Sequence, residues 1–200
     1  MRQITGKHMN ICLNKAYEML EKYKTWTKAI DGFPRDVDVF GNVCVRDLEV
    51  NIKVFVVDVV PEEIKEILGG LCLVNEDGSF EINLHPDLNE CWQRFILCKE
   101  LFHVLLDAQE YRNMDLYAHL EQLTLLMPAD EDGIYLPGTS ELMAEIAAME
   151  FLFPYSERLK VKSKSTINLL DVATVYRVPQ KFVALYLSDA VMHFLAPFCN

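Results

Sequence analysis

The residues most able to do chemistry in this sequence lie in one short segment, Lys99-Glu100-Leu101-Phe102-His103. In a zinc-binding helix of the H-E-x-x-H type, two histidines four residues apart share one face and bind the metal, and the glutamate activates the bound water. Here the first histidine position is occupied by Lys99. Because an ammonium has no lone pair for zinc and its charge repels the ion, the segment keeps part of a metal site and lacks one ligand.

The position of Lys99 can also be interpreted without reference to a motif. It falls within the apolar stripe of a predicted long helix, capped by Asp87 or Asn89. The stripe residues are Trp92, Phe95, Ile96, Phe102, Leu105 and Leu106. A buried lysine is costly unless it meets a carboxylate or loses its proton. We therefore expect an ion pair with Glu141, Glu100 or Glu145; the alternative is that the side chain reaches solvent.

The remaining elements are predicted from periodicity and from capping or turn residues. Residues 10–30 have helical spacing, Asp36 can cap a short second helix, and residues 50–60 are rich in β-branched side chains. Residues 71–74 and 80–84 flank an Asp-Gly turn and predict a hairpin. Further helices are predicted at residues 61–69, 114–127, 141–153 (capped by Thr139 or Ser140 and stopped by Pro154), 167–176 and 179–195. This order predicts an α+β fold, mostly helical with a small antiparallel sheet.

Composition restricts the class of protein. Among 200 residues, 51% are hydrophobic and 24% are charged, which is typical of a globular domain. The net charge of −11 argues against nucleic acid or an anionic membrane as the main partner. The N-terminus has no apolar segment typical of a signal peptide, so a cytoplasmic location is expected. Six scattered cysteines without a C-x-x-C pair predict reduced, mostly buried thiols.

The segment Arg94-Phe95-x-Leu97-x-x-Glu100-Leu101-x-His103-x-Leu105-Leu106 resembles the R-F-T-L-A-H-E-L-G-H-L-L-L signature of the ImmA/IrrE metallopeptidase family. Other segments resemble the family's elements in the same order: Phe33-Pro34-x-Asp36-Val37, the strand Ile82-Asn83-Leu84, Glu141 to Pro154, and Ala173-x-x-Tyr176-x-Val178-Pro179. The resemblance covers about residues 33–187. It implies a gluzincin-like domain over residues 33–200, one compact unit, with residues 1–32 as an N-terminal helix.

The resemblance also implies roles for particular residues. Glu100 takes the position of the general base, and His103 and Glu141 take the second and third zinc-ligand positions. The departures from the family pattern cluster in the same cleft: Lys99 replaces the first histidine, Phe102 the usual glycine and Glu145 the usual asparagine.

The resemblance implies a degenerate zinc-peptidase fold, a pseudoenzyme without a cofactor, whose cleft binds a protein partner. By family analogy the partner is a transcriptional regulator of a phage or mobile element, such as a helix-turn-helix repressor. One alternative is an active zinc metallopeptidase that recruits His85 or His119 as the missing ligand. Another is a scaffold or oligomerisation module. Residues 169–187 also fit a helix-turn-helix, but Lys181 is the one basic residue of its second helix up to Leu187, which argues against DNA binding. The sequence leaves the oligomeric state open.

Overall fold

A computed structural model describes residues 4–28, 32–57, 69–106 and 136–199. The elements are α1 (Gly6–Thr27), α2 (Val37–Leu48), β1 (Ile52–Val56), β2 (Gly70–Val74), β3 (Phe80–Leu84), α3 (Glu90–Leu106), α4 (Leu136–Leu152), α5 (Tyr155–Lys162), α6 (Leu169–Tyr176), α7 (Gln180–Tyr186), α8 (Asp189–Leu195) and a final 3-10 turn (Ala196–Phe198). The helices predicted at residues 61–69 and 114–127, and the candidate ligand His119, lie outside the described residues.

Side-chain caps set the starts of the first three helices. Thr5 accepts a hydrogen bond from the backbone N–H of His8, so α1 begins earlier than its apolar periodicity predicts. Asp36 caps α2 as predicted, accepting from the N–H of Val39 at 3.0 Å. Of the two candidate caps for α3, Asn89 accepts from the N–H of Trp92 at 3.1 Å. The side chain of Asn89 therefore sets the start of the helix that carries Lys99.

Among the residues that the structure describes, the sheet has three strands in the order β1-β3-β2. The predicted hairpin is confirmed, since β2 and β3 pair antiparallel, with Val74 opposite Phe80. The expectation of a wholly antiparallel sheet is wrong, because β1 pairs parallel with β3, with Ile52 opposite Phe80. β2 lies at the other edge of the sheet from β1. Its hairpin partner β3 runs antiparallel to β2 and therefore parallel to β1.

The core forms where α1, α2, α3 and α4 pack together. Phe40 of α2 stacks on Phe151 of α4, with ring centroids 4.2 Å apart, and lies 5.2 Å from the ring of Phe102 on α3. Most of α3 is buried all round, from Phe95 to Val104 apart from the partly buried Lys99. The predicted α+β class is therefore confirmed, with the motif-bearing helix at its centre.

Three helix predictions need correction. α4 begins at Leu136, so Thr139 and Ser140 lie inside the helix and not at its start. α5 was not predicted, because only Tyr155, Arg158 and Val161 of its polar sequence are buried. The last predicted helix divides into α7 and α8, since Ser188 accepts a hydrogen bond from the N–H of Val191 and starts a new helix.

Two apolar side chains of α1, Ile11 and Trp26, are 42% and 45% exposed and lie outside the buried face of that helix. In the described part of the chain, no helix is both long and apolar enough to cross a bilayer.

Candidate functional site

The predicted site residues lie where α3 packs against α4. Lys99 and His103 are four residues apart and therefore share one face of α3. Glu141 on α4 faces both: its Oε2 lies 2.7 Å from the Lys99 Nζ, and its Oε1 lies 3.2 Å from the His103 Nε2. The two ligand positions and the lysine thus form one contact set between two helices.

The Lys99 ammonium is enclosed by carboxylates. Besides Glu141, the Oε1 of Glu100 lies 3.2 Å from its Nζ, and only 12% of the lysine side chain is exposed. Burial alone would lower the pKa of Lys99, but the two carboxylates raise it above its ordinary value of 10.5. The lysine is therefore charged at neutral pH, and the predicted ion pair with Glu141 is present.

Glu141 is correspondingly ionised. Burial would raise the pKa of its carboxyl, but the Lys99 ammonium and the neighbouring His103 hold that pKa well below 4.5. One cation and two close carboxylates give this contact set a net negative charge when His103 is neutral.

His103 is held on both sides of its ring by consecutive residues of α4. The Oγ of Ser140 lies 3.3 Å from Nδ1, while Glu141 approaches Nε2. Nδ1 can accept from the Ser140 hydroxyl, whereas the contact of Nε2 with the carboxylate is one of ion-pair distance. Ser140 was predicted only as a possible helix cap, and no spacing in the sequence reveals this contact.

The other predicted site residues are placed differently. Glu100 is 4% exposed and contacts Lys99, whereas Phe102 is fully buried among the core aromatic rings. Glu145 accepts a hydrogen bond from the Tyr186 hydroxyl at 3.0 Å, one turn from the Lys99 contact set. Tyr186 and Glu145 are 41 residues apart in sequence, so local pattern does not show this link.

His85 lies at the end of β3, 6% exposed. Its Nδ1 accepts a hydrogen bond from the backbone N–H of Asp87 at 3.2 Å, which sets the start of the turn into α3. Within residues 4–28, 32–57, 69–106 and 136–199, no three His, Cys, Asp or Glu side chains are grouped so that they could hold a metal ion. All six cysteines are free thiols, and burial raises the pKa of Cys12 to about 12.

A catalytic zinc site needs three protein ligands and one open position. Here the first of those positions presents the Lys99 ammonium, whose nitrogen is already within 2.7 Å of the carboxylate that would be the third ligand. The described residues therefore do not fit zinc, and no step through a metal is derived from them.

The family comparison supports the class of zinc-peptidase folds for this arrangement of a small mixed sheet and two facing helices. A family model described as IrrE N-terminal-like domain, of peptidase family M78, matches residues 57–188. The chain belongs to this ImmA/IrrE family. No curated protein matches it.

Proposed function

We propose that this chain is a non-catalytic member of its family, in which the Lys99 ammonium takes the place of the metal between His103 and Glu141. The observation that supports the proposal is the 2.7 Å contact between the Lys99 Nζ and the Glu141 Oε2. A cation at that point neutralises the carboxylate and joins α3 to α4, two tasks that a zinc ion performs in a complete site. It generates no nucleophilic water, because an ammonium is not a Lewis acid.

We propose further that the cleft beside this contact set binds a protein partner in the cytoplasm, and that the partner is a regulator of a phage or mobile element such as a helix-turn-helix repressor. Family membership supports this, since members of the ImmA/IrrE family act on such regulators. In this chain, binding would sequester or relocate the regulator and leave its peptide bonds intact.

Zinc stoichiometry tests the first part. Protein purified from zinc-supplemented medium and passed through gel filtration is expected to carry well under one equivalent of zinc by atomic emission. Lys99→His restores the H-E-x-x-H pattern and is expected to raise zinc affinity strongly. Lys22→Met serves as the matched control, because Lys22 forms surface ion pairs with Glu18 and Asp47 away from the site.

Stoichiometric zinc in the unmodified protein would overturn the proposal and favour the peptidase with a further ligand, His85 or His119. If Lys99→His also binds no zinc, residues other than Lys99 also prevent metal binding.

The second part is tested with a purified repressor encoded beside this gene in its own genome. A complex that forms by calorimetry, with the repressor intact by mass spectrometry after prolonged incubation, is the expected result. Cleavage of the repressor would contradict the proposal. Absence of binding to each neighbouring regulator would favour a scaffold function.

A further inference from the structure

β1 is an edge strand with an unusual surface. Four consecutive apolar residues are exposed: Val54 by 45%, Phe55 by 40%, Val56 by 54% and Val57 by 36%. Since successive side chains of a strand point to opposite faces, both faces of β1 are open to solvent. Exposed apolar edge strands are ready templates for pairing with another chain, and proteins normally protect them with charges or bulges.

The free hydrogen-bonding side of β1 can be identified from its ladder. Phe80 donates its N–H to the carbonyl of Asn51, and Val57 donates to the carbonyl of Leu84. Because donors alternate along a parallel strand, the N–H and C=O groups of Val54 and Val56 point away from β3. Within the described parts of the chain, no strand pairs with that side.

A groove of about 480 Å³ runs beside this edge. Its apolar lining includes Val54, Val56, Leu84 and Leu97. An extended peptide added to β1 would send alternate side chains into this groove while its backbone bonds to the edge.

Charge at the groove indicates what the peptide carries. Asp36 and Asp38, both exposed at the start of α2, line one end. Glu90 also lines the groove and is paired with Arg177 at 2.7 Å, so the pair is locally neutral. Arg94 donates a hydrogen bond to the carbonyl of Arg35 at 2.7 Å. Arg94 keeps its positive charge, so the groove lining has three carboxylates against two guanidiniums and an excess of one negative charge. This excess favours a basic segment, and the chain's net charge of −11 attracts such a segment from a distance.

The groove and the Lys99 contact set use different faces of α3. Glu90, Gln93, Arg94 and Leu97 line the groove, at helical spacing i, i+3, i+4, i+7. Lys99 and His103 belong to another face by the same periodicity. A peptide at β1 would therefore leave the Lys99 contact set accessible.

We propose that the β1 edge and its groove dock an extended, alternating basic and apolar segment of another protein, which adds to the sheet as a fourth strand. A second copy of this chain is disfavoured as the occupant, because two copies of charge −11 repel and β1 contributes one lysine, Lys53. The proposal stands independently of the function proposed for Lys99.

The test uses a fluorescent decapeptide of alternating lysine and valine, with binding measured by anisotropy and by backbone NMR. We expect saturable binding, with the largest amide shifts at Val54 and Val56. Val56→Pro removes an N–H that faces the open side and no bond to β3, and is expected to weaken binding about tenfold, the effect of losing one hydrogen bond.

Asp36→Asn combined with Asp38→Asn removes two charges while keeping an asparagine cap for α2, and is expected to weaken binding and reduce its salt dependence. Asp189→Asn, a surface change on α8, is the matched control. The peptide control has the same sequence with alternate residues N-methylated, so its charge is unchanged and its strand pairing is blocked.

Equal binding of the methylated peptide, or an unchanged affinity of Val56→Pro, would overturn strand addition. Reversible dimerisation that is abolished by Val56→Pro, seen by sedimentation without peptide, would overturn the choice of partner in favour of a second copy. These outcomes leave the zinc and repressor measurements untouched.

Discussion

Helix α4 carries two carboxylates that each pair with a cation of another helix, and the two pairs differ in how far they are exposed to solvent. Glu150, in its last turn, pairs with Arg158 of α5, and both side chains are no more than 2% exposed. Glu141, near the other end, pairs with Lys99 of α3, with side chains 21% and 12% exposed.

The Glu150 carboxylate has a partner for each lone-pair region. The N–H of Tyr155 donates to both oxygens at 3.0 and 3.1 Å, and the Tyr17 hydroxyl donates to one at 3.3 Å. Arg158 also lies over the rings of Tyr155 and Tyr186, at 5.6 and 5.3 Å from their centroids. Within the described residues, the Nε and Nη1 of Arg158 have no hydrogen-bond partner, so the carboxylate of this buried pair is satisfied more fully than the guanidinium.

The Lys99 contact set is more open and carries a second carboxylate, Glu100, with His103 beside it. Its partners come from helices far apart in sequence, whereas Glu150 and Arg158 are eight residues apart. The comparison separates a buried charge pair within one local turn from a more exposed pair that joins two helices distant in sequence.

The largest effect is expected from Arg158→Met, because it leaves the Glu150 carboxylate in the core without its cation. Breaking a buried pair from one side costs about 3–5 kcal/mol, and we expect the upper end of that range. Urea denaturation followed by circular dichroism measures it. A loss below about 1 kcal/mol, the scale of a surface pair, would show that the two pairs are energetically alike.

Lys99→Met keeps the volume of the side chain and removes its charge, and is expected to cost about 3 kcal/mol, the lower end of the range for one-sided loss. Adding Glu141→Gln is expected to recover much of that loss, because the coupling resides in the pair. Strictly additive effects in this double-mutant cycle would mean that Lys99 and Glu141 contribute separately.

Low pH is expected to weaken the ion pair between Lys99 and Glu141, whereas a contact between neutral groups would not depend on pH. Because the pKa of Glu141 is lowered in the folded protein, its contribution is complete above the ordinary value of 4.5 and is lost as the pH falls from there towards the folded pKa. The free energy of unfolding of the unmodified protein, minus that of Lys99→Met with Glu141→Gln, is expected to decrease below pH 4.5. A difference independent of pH would contradict the pKa shift.

The raised pKa of Lys99 predicts a loss of stability at alkaline pH as well. It is raised above 10.5, so the stabilisation from the ammonium is complete below that pH and is lost as the pH rises through the folded pKa. The same subtraction at alkaline pH is expected to decrease again.

The smallest effects are expected from removing one hydroxyl group beside Glu150 or one beside His103. Tyr17→Phe removes a donor from Glu150 and is expected to cost about 1 kcal/mol. Ser140→Ala removes a contact of the same length, 3.3 Å, to His103 and is expected to cost less than about 0.5 kcal/mol, because that region is partly solvated. A larger cost for Ser140→Ala would show that the ring orientation of His103 is tightly coupled to α4.

The sequence predicted what depends on local pattern. Asp36 and Asn89 could be identified as caps from residue type, and the hairpin from its Asp-Gly turn. A buried lysine between apolar neighbours also required a carboxylate, and the resemblance supplied the helix bearing Glu141.

Features that depend on tertiary contacts were not accessible in the same way. The parallel pairing of β1 with β3 requires the path of the chain between them, which periodicity does not contain. Ser140 looked like a cap because serine favours that position, but its hydroxyl approaches His103 instead. The α5 helix was not predicted because its buried Arg158 is a charged residue, and periodicity does not show the Glu150 carboxylate that pairs with it.

The Lys99 ammonium differs from a bound metal ion in one further respect: its presence does not depend on the concentration of free metal. An ion taken from solution stabilises a fold only in proportion to its occupancy, so that stability follows the free metal concentration in the cell. Lys99 is attached to the chain, and its local concentration at Glu141 does not vary. The junction of α3 and α4 is therefore buffered against metal starvation and against chelating agents, and it is assembled as soon as the two helices pack.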